Sequence, residues 1–256
     1  MSLEKRNVEA VGNGGGGRCS WRAVVRLGAA WTVAGLAERV VREGLRWLDF
    51  DDAMLFSDST RTISLCREMR RREINVLWSA RLDAVPGREA LREMRLAGCQ
   101  VLDALGPEGS SGLDRAREFG FDIRLRGAED GACPTARTSY TVAEREAVAE
   151  LLPGLHAAQF DLAVAYYRAR RFSDVMRPLG KAMVLRFPMN ELCLNLLACL
   201  SAARHYPDVA AGLLDQAGHG CPHPVVFRNR GLLRSWMESG GDLRGVRLDL
   251  DPAGSL

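Results

Sequence analysis

Across the first half of this 256-residue chain, short apolar runs alternate with amphipathic stretches; across the second, the pattern is helical and recurs every 34 residues. Alternation of that kind predicts parallel strands joined by right-handed helical crossovers, and a fixed period of that length predicts stacked helix pairs. The fold class is therefore an α/β partial barrel, open and with about five parallel strands, followed by an all-α array of helical hairpins. The stretch Gly127-Ala128-Glu129-Asp130-Gly131-Ala132-Cys133-Pro134-Thr135 lacks periodicity and is rich in turn formers. It divides the chain into a barrel domain at 1–127, a linker at 128–140, a helical domain at 141–245 and a tail at 246–256.

Each element has its own signal. Residues 8–11 read as the first strand. Residues 32–43 read as a helix whose apolar side includes Val33, Leu36, Val40 and Val41, ended by Gly44. Residues 45–50 form the second strand, and residues 59–72 a helix led by a serine or threonine cap. Residues 75–82 are the third strand; residues 86–97 are a helix with Pro86 in its first turn and Gly98 at its end. Residues 100–105, 113–119 and 121–125 complete strand, helix and strand. Eight such units close a TIM barrel, so about five leave a half-to-three-quarter barrel.

The helical half opens at Thr141, which is followed three residues on by Glu144, the spacing of a capping box. Beyond it, Phe172-Ser173-Asp174-Val175 is matched by Tyr206-Pro207-Asp208-Val209, Leu162 by Leu196, Leu179 by Leu213 and Pro188 by Pro222. Small residues on the first helix, an aromatic at the turn and a proline after the second helix make this period resemble the tetratricopeptide repeat (TPR). Two units cover residues 156–223, and residues 225–239 supply a third first helix. Residues 159–164 also read as a sixth barrel strand, but they fall in the 34-residue register, which favours helix. Arrays of this kind present a groove for a peptide or helix, and Arg168, Arg170, Arg171, Asn195 and Arg204 are the polar residues expected to contact it.

Composition excludes several classes. The net charge of +3 is a small difference between 35 basic and 32 acidic side chains, which gives no case for nucleic acid. The run Arg70-Arg71-Arg72 has Glu68 and Glu73 beside it and reads as a solvated helix end. No window holds ~18 uninterrupted apolar residues, so no membrane span is expected, and the first residues lack the apolar core of a signal peptide. Seven cysteines without paired spacing read as free thiols in a reducing cytoplasm.

A set of ordered motifs carries a resemblance. Asp49-Phe50-Asp51-Asp52 ends one strand; Cys66-Arg67-Glu68-Met69 precedes Trp78-Ser79-Ala80-Arg81-Leu82-Asp83; Leu91-Arg92-Glu93-Met94-Arg95-Leu96-Ala97-Gly98-Cys99 is followed by Gly106-Pro107-Glu108-Gly109-Ser110. Over about 80 residues this resembles the radical S-adenosylmethionine (SAM) enzymes of the cobalamin-associated branch. The resemblance implies a TIM-type barrel, a SAM pocket at the strand C-terminal ends with Glu108, Asp51 and Asp52 facing it, and a CxxxCxxC loop for an iron–sulfur cluster. Only Cys19 stands in that loop; if it is the middle cysteine, the other two positions are Gly15 and Arg22. A site-differentiated four-iron cluster needs three protein thiolates, and a guanidinium repels iron. The resemblance therefore implies a degenerate member without a four-iron four-sulfur cluster. No resident cofactor is expected, and SAM is the ligand such a pocket would retain. An alternative is a radical SAM enzyme or SAM-binding subunit with atypical cluster ligation. A plainer reading of the carboxylates has them capping helices and pairing with Arg81 or Arg124.

Two weaker patterns remain. Gly12, Gly14 and Gly17 satisfy GxGxxG, which after a strand and before a helix lets backbone amides approach phosphate, with Glu38 as the acidic residue. Gly14 and Gly17 are equally placed to border a SAM pocket. His219, Cys221 and His223 set three metal-type ligands at alternate positions. Cys66, Cys99, Cys193 and Cys199 read as small core residues, and no order of Cys, His and Asn suggests a nucleophile. The expected function is protein interaction through the helical repeats.

Overall fold

A computed structural model describes residues 21–26, 32–105, 111–126, 140–219, 222–239 and 250–252. The chain forms two compact units, Met1–Leu152 and Pro153–Leu256. The first contains five parallel strands in the order β1-β2-β3-β4-β5, namely Arg22–Val25, Trp47–Phe50, Leu77–Leu82, Cys99–Leu105 and Asp122–Arg126. Between them run α1 (Val33–Glu43), α2 (Ser59–Arg71), α3 (Arg88–Leu96) and α4 (Ser111–Glu118), with α5 (Val142–Leu151) after β5.

Sequential strand order has one consequence for layering. Each crossover steps one strand in the same direction, and crossovers of one hand then place every connecting helix on the same face. Helices α1 to α4 accordingly pack each against the next. Alternation along the strands sorts the side chains between the two faces. Ala23, Val25, Leu48, Phe50, Trp78, Ala80, Leu82, Leu102, Ala104 and Ile123 form the buried apolar face. Phe56, on a 3-10 turn at Ala53–Phe56, stacks on Trp78 at 5.6 Å and meets Phe50 edge-on at 5.9 Å. The opposite set, Arg22, Trp47, Asp49, Asp51, Ser79, Arg81, Asp103 and Arg124, is largely polar.

Local chemistry sets the element ends. Thr32 caps α1 by accepting from the Gly35 N–H at 3.1 Å, and Gly44, at φ 63°, closes it as the sequence predicts. Leu36 and Val40 turn to the core, whereas Val41, expected beside them, is 83% exposed because it lies a further 100° around the helix. The cap of α2 is Asp58, whose carboxylate accepts from the Thr60 N–H at 2.8 Å, in place of the serine or threonine expected. Pro86 precedes α3, with Gly87 at the cap position. Gly98 has φ 100°, and a Cβ there would lie 2.2 Å from the Val76 carbonyl oxygen, so only glycine lets β4 start beside β3.

One sequence expectation shifts and another falls outside the described residues. The first strand described is Arg22–Val25, after the glycine-rich segment; residues 8–11 lie outside the described residues. Helix α5, assigned by sequence to the helical domain, belongs with the sheet: Arg145 donates to the Gly120 carbonyl at 3.1 Å and to Asp122 at 3.3 Å, and Tyr140 donates to the Phe121 carbonyl. Its capping box forms as predicted, and it completes a fifth strand and helix unit.

The second unit holds α6 (His156–Arg168), α7 (Met176–Val184), α8 (Asn190–Ala203), α9 (Pro207–Ala217) and α10 (Pro224–Glu238). Helices α6, α8 and α10 begin at positions 156, 190 and 224, 34 residues apart each time. Residues 159–164 are therefore helix, not a sixth strand. Helices α6 and α7, and α8 and α9, pair as hairpins, and α10 packs on α8 and α9. Phe160 stacks on Phe187 at 4.5 Å in the core, with Leu162, Leu179 and Leu196 buried around it.

Candidate functional site

The polar face of the sheet is a self-neutralising charge network. Asp49 accepts from Arg22 Nε at 2.5 Å and Nη2 at 2.9 Å, from Trp47 Nε1 at 2.9 Å and from Ser79 Oγ at 2.7 Å. Burial alone would raise its pKa, but these donors together hold it below the ordinary value of 3.8. Asp51 pairs with Arg81 at 3.2 Å and Arg26 at 3.3 Å, and Asp103 with Arg124 at 4.0 Å. Asp52 caps the 3-10 turn, accepting from the Met54 N–H at 3.1 Å. The plainer reading of Asp51 and Asp52, pairing and capping, describes what these two carboxylates do, although Arg124 serves Asp103. Glu108, the other residue of the implied SAM pocket, lies outside the described residues, as do Gly14, Gly17, Cys19 and Cys221.

Of the three positions that the implied cluster loop would use, Arg22 alone is among the described residues. Arg22, standing where the resemblance asks for a thiolate, is the first residue of β1 and is bonded to Asp49 through two nitrogens. Among the described residues no group of three metal-type ligands converges. The first described element after the glycine segment is the strand β1, and Glu38 is exposed on α1. Of the set His219, Cys221 and His223, the two histidines are among the described residues. His223 is buried at the cap of α10, where its Nδ1 accepts from the Val225 N–H at 3.3 Å, while His219 Nδ1 lies 3.1 Å from the Gln216 carbonyl.

Cys66, Cys99, Cys193 and Cys199 are buried free thiols, as expected. Burial, aided by the nearby Glu93 charge, pushes Cys66 up to about 12; burial next to Glu191 does the same for Cys193, and Cys99 is raised well above its ordinary value by burial first. A raised pKa keeps Cys66, Cys99 and Cys193 in the thiol form at neutral pH, which disfavours a nucleophilic role for these three.

The more specific construction is in the helical unit. Asn195, expected as an exposed groove residue, is fully buried on α8. Its Nδ2 donates to the carbonyls of Asp251 at 2.9 Å and Pro252 at 3.0 Å. Asn229 on α10, 34 residues on, donates to the Asp251 carbonyl at 2.7 Å and to Asn195 Oδ1 at 2.8 Å, and its Oδ1 accepts from the Asp251 N–H at 3.1 Å. One carboxamide thus pairs with both peptide groups of one residue, as a neighbouring β-strand does. Arg228 meets the Asp251 carboxylate at 2.5 Å, and the Leu250 side chain is 1% exposed. The expected arginines sit elsewhere. Arg168, Arg170, Arg171 and Arg204 are exposed at the hairpin turns, where Arg171 pairs with Asp174 at 2.7 Å and Arg204 donates to the Phe172 carbonyl at 3.1 Å. A second concavity of about 310 Å³ lies between α9 and α10, lined by residues including Asp215, Arg230, Leu233 and Met237.

Asn229 and the segment at 250–252 escaped sequence reasoning. The available signal was the recurrence of asparagine at 195 and 229 in the same register. Comparison of the chain with known protein families, characterised proteins and solved structures finds no match.

Proposed function

We propose that this protein is a catalytically degenerate radical-SAM-like scaffold that acts as an interaction or accessory module, with TPR-like repeats in its helical unit as the working surface. The observation that carries the reading is the asparagine pair on α8 and α10, which holds a short stretch of backbone by its peptide groups. Backbone-directed recognition suits a groove that takes an extended peptide, because it fixes conformation and leaves choice of sequence to flanking contacts. The sheet unit contributes a rigid body whose polar face is committed to internal ion pairs, which supports a structural role for it.

The test is a peptide array probed with the full chain and with its Asn195→Ala/Asn229→Ala form. Binders that depend on the asparagine pair support the reading; a binder set unchanged by the double substitution, or none at all, contradicts it. The alternative, a SAM-dependent enzyme or SAM-binding subunit, draws on the clustering of Asp51, Arg81, Asp103 and Arg124 toward the strand C-terminal ends. Its signature is about four irons per chain after anaerobic reconstitution, or micromolar SAM binding that Glu108→Ala abolishes.

A further inference from the structure

We infer that residues 250–252 are a resident cis ligand of the α8/α10 groove, and that the groove's partner in trans is a segment with the same chemistry: an apolar residue, an aspartate and a proline in succession. The inference rests on the peptide-binding reading and adds what is bound and how access is regulated.

Four contacts define the ligand. The peptide N–H and carbonyl of Asp251 are both taken by Asn229, and the Asp251 and Pro252 carbonyls are both taken by Asn195; all four contacts are made to the backbone and call for no particular side chain. Specificity comes from the side chains. Leu250 is buried, Pro252 is buried, and the Asp251 carboxylate faces the Arg228 guanidinium. Both asparagines are fully buried with the segment in place. Vacating the groove would leave two carboxamides without these partners, which favours an occupied groove and hence exchange of one segment for another.

Tethering explains how so short a contact persists. Residue 238, the end of α10, and residue 250 are twelve positions apart in one chain, so the contact is intramolecular and is made at an effective concentration on the order of millimolar. A sequence that binds weakly in trans is therefore bound in cis, and an outside peptide sees an affinity reduced by the fraction of grooves already filled.

The probe is a fluorescein-labelled peptide of residues 246–253, Val-Arg-Leu-Asp-Leu-Asp-Pro-Ala, titrated by anisotropy into the full chain and into its Asp251→Lys form. The substitution turns the attraction to Arg228 into a repulsion and so weakens the hold of the cis segment while leaving every groove residue in place; an unchanged far-UV circular dichroism spectrum verifies the fold. Expected is at least tenfold tighter binding to Asp251→Lys than to wild type, lost again when Asn229→Ala is added. Equal affinity for both proteins overturns cis occupancy while leaving the peptide groove standing. No binding to either, together with array peptides that also ignore Asn195 and Asn229, removes the peptide-binding reading itself. A wild-type dimer that Asp251→Lys dissociates overturns the cis assignment, because the segment then comes from a second copy.

Discussion

Asp49→Asn separates a structural polar face from a chemical one. The substitution preserves size and leaves an oxygen to accept from Trp47 and Ser79, but it sets an amide or a neutral oxygen against the Arg22 guanidinium, removing the bidentate ion pair at 2.5 and 2.9 Å. A charge-assisted hydrogen bond contributes about 1.5–3 kcal/mol when buried. The Asp49 side chain is 17% exposed and that of Arg22 38%, so solvent screening brings the expected loss to about 2 kcal/mol for the pair. For a unit of this size that lowers the melting temperature by roughly 4–8 °C. The assay is urea and thermal unfolding followed by tryptophan fluorescence, since Trp47 and Trp78 both report on the sheet. The pH dependence has a definite sign. Because the folded pKa lies below 3.8, the wild-type advantage is complete above the ordinary carboxylate range and disappears as pH falls through the lowered folded value. A variant as stable as wild type at pH 7, or more stable, refutes the structural assignment, since residues kept for chemistry are commonly a cost to stability.

Other substitutions test the packing. Gly98→Ala forces a Cβ to within 2.2 Å of the Val76 carbonyl at φ 100° and should destabilise the sheet unit by about 2–5 kcal/mol in urea unfolding, whereas Gly44→Ala, at φ 63° with open space around it, should cost about 1 kcal/mol. Arg95 is fully buried and donates to the carbonyls of Phe119 and Cys99 at 3.1 and 2.9 Å and to the Gln100 side chain, so Arg95→Met should cost about 2–4 kcal/mol while exposed Arg92→Met stays within about 0.5 kcal/mol. Thiol titration at pH 8 should leave Cys66, Cys99 and Cys193 unmodified until denaturant is added, and rapid native labelling of any of them contradicts their burial.

Much of the sheet unit was legible because its signals are local. Helix ends at Gly44 and Thr141 follow from capping chemistry within a few residues, and the strands at 77–82 and 99–105 are short segments rich in apolar residues that follow a helix and a turn, the spacing of a parallel strand–helix repeat. The strand at Arg22–Val25 was not anticipated because it carries an arginine that reads as polar until its partner, 27 residues away, is known. Helix α5 was given to the wrong unit for the same reason: its amphipathic pattern does not say which core it covers, and Arg145 finds Gly120 and Asp122 only in three dimensions. The repeat period located α6, α8 and α10, yet composition made Asn195 look exposed. A buried asparagine is tolerated only with its amide satisfied, and its partners are backbone atoms of residues 251 and 252, invisible to any reading of side chains.

Hydrogen exchange on the full chain, with and without excess peptide of residues 246–253, addresses the groove most directly. The account predicts a protected Asp251 amide in the free protein, faster exchange there when the peptide displaces the segment, and continued protection of α8 and α10. An Asp251 amide that exchanges freely at the outset, or one that a saturating peptide leaves unchanged, would contradict it.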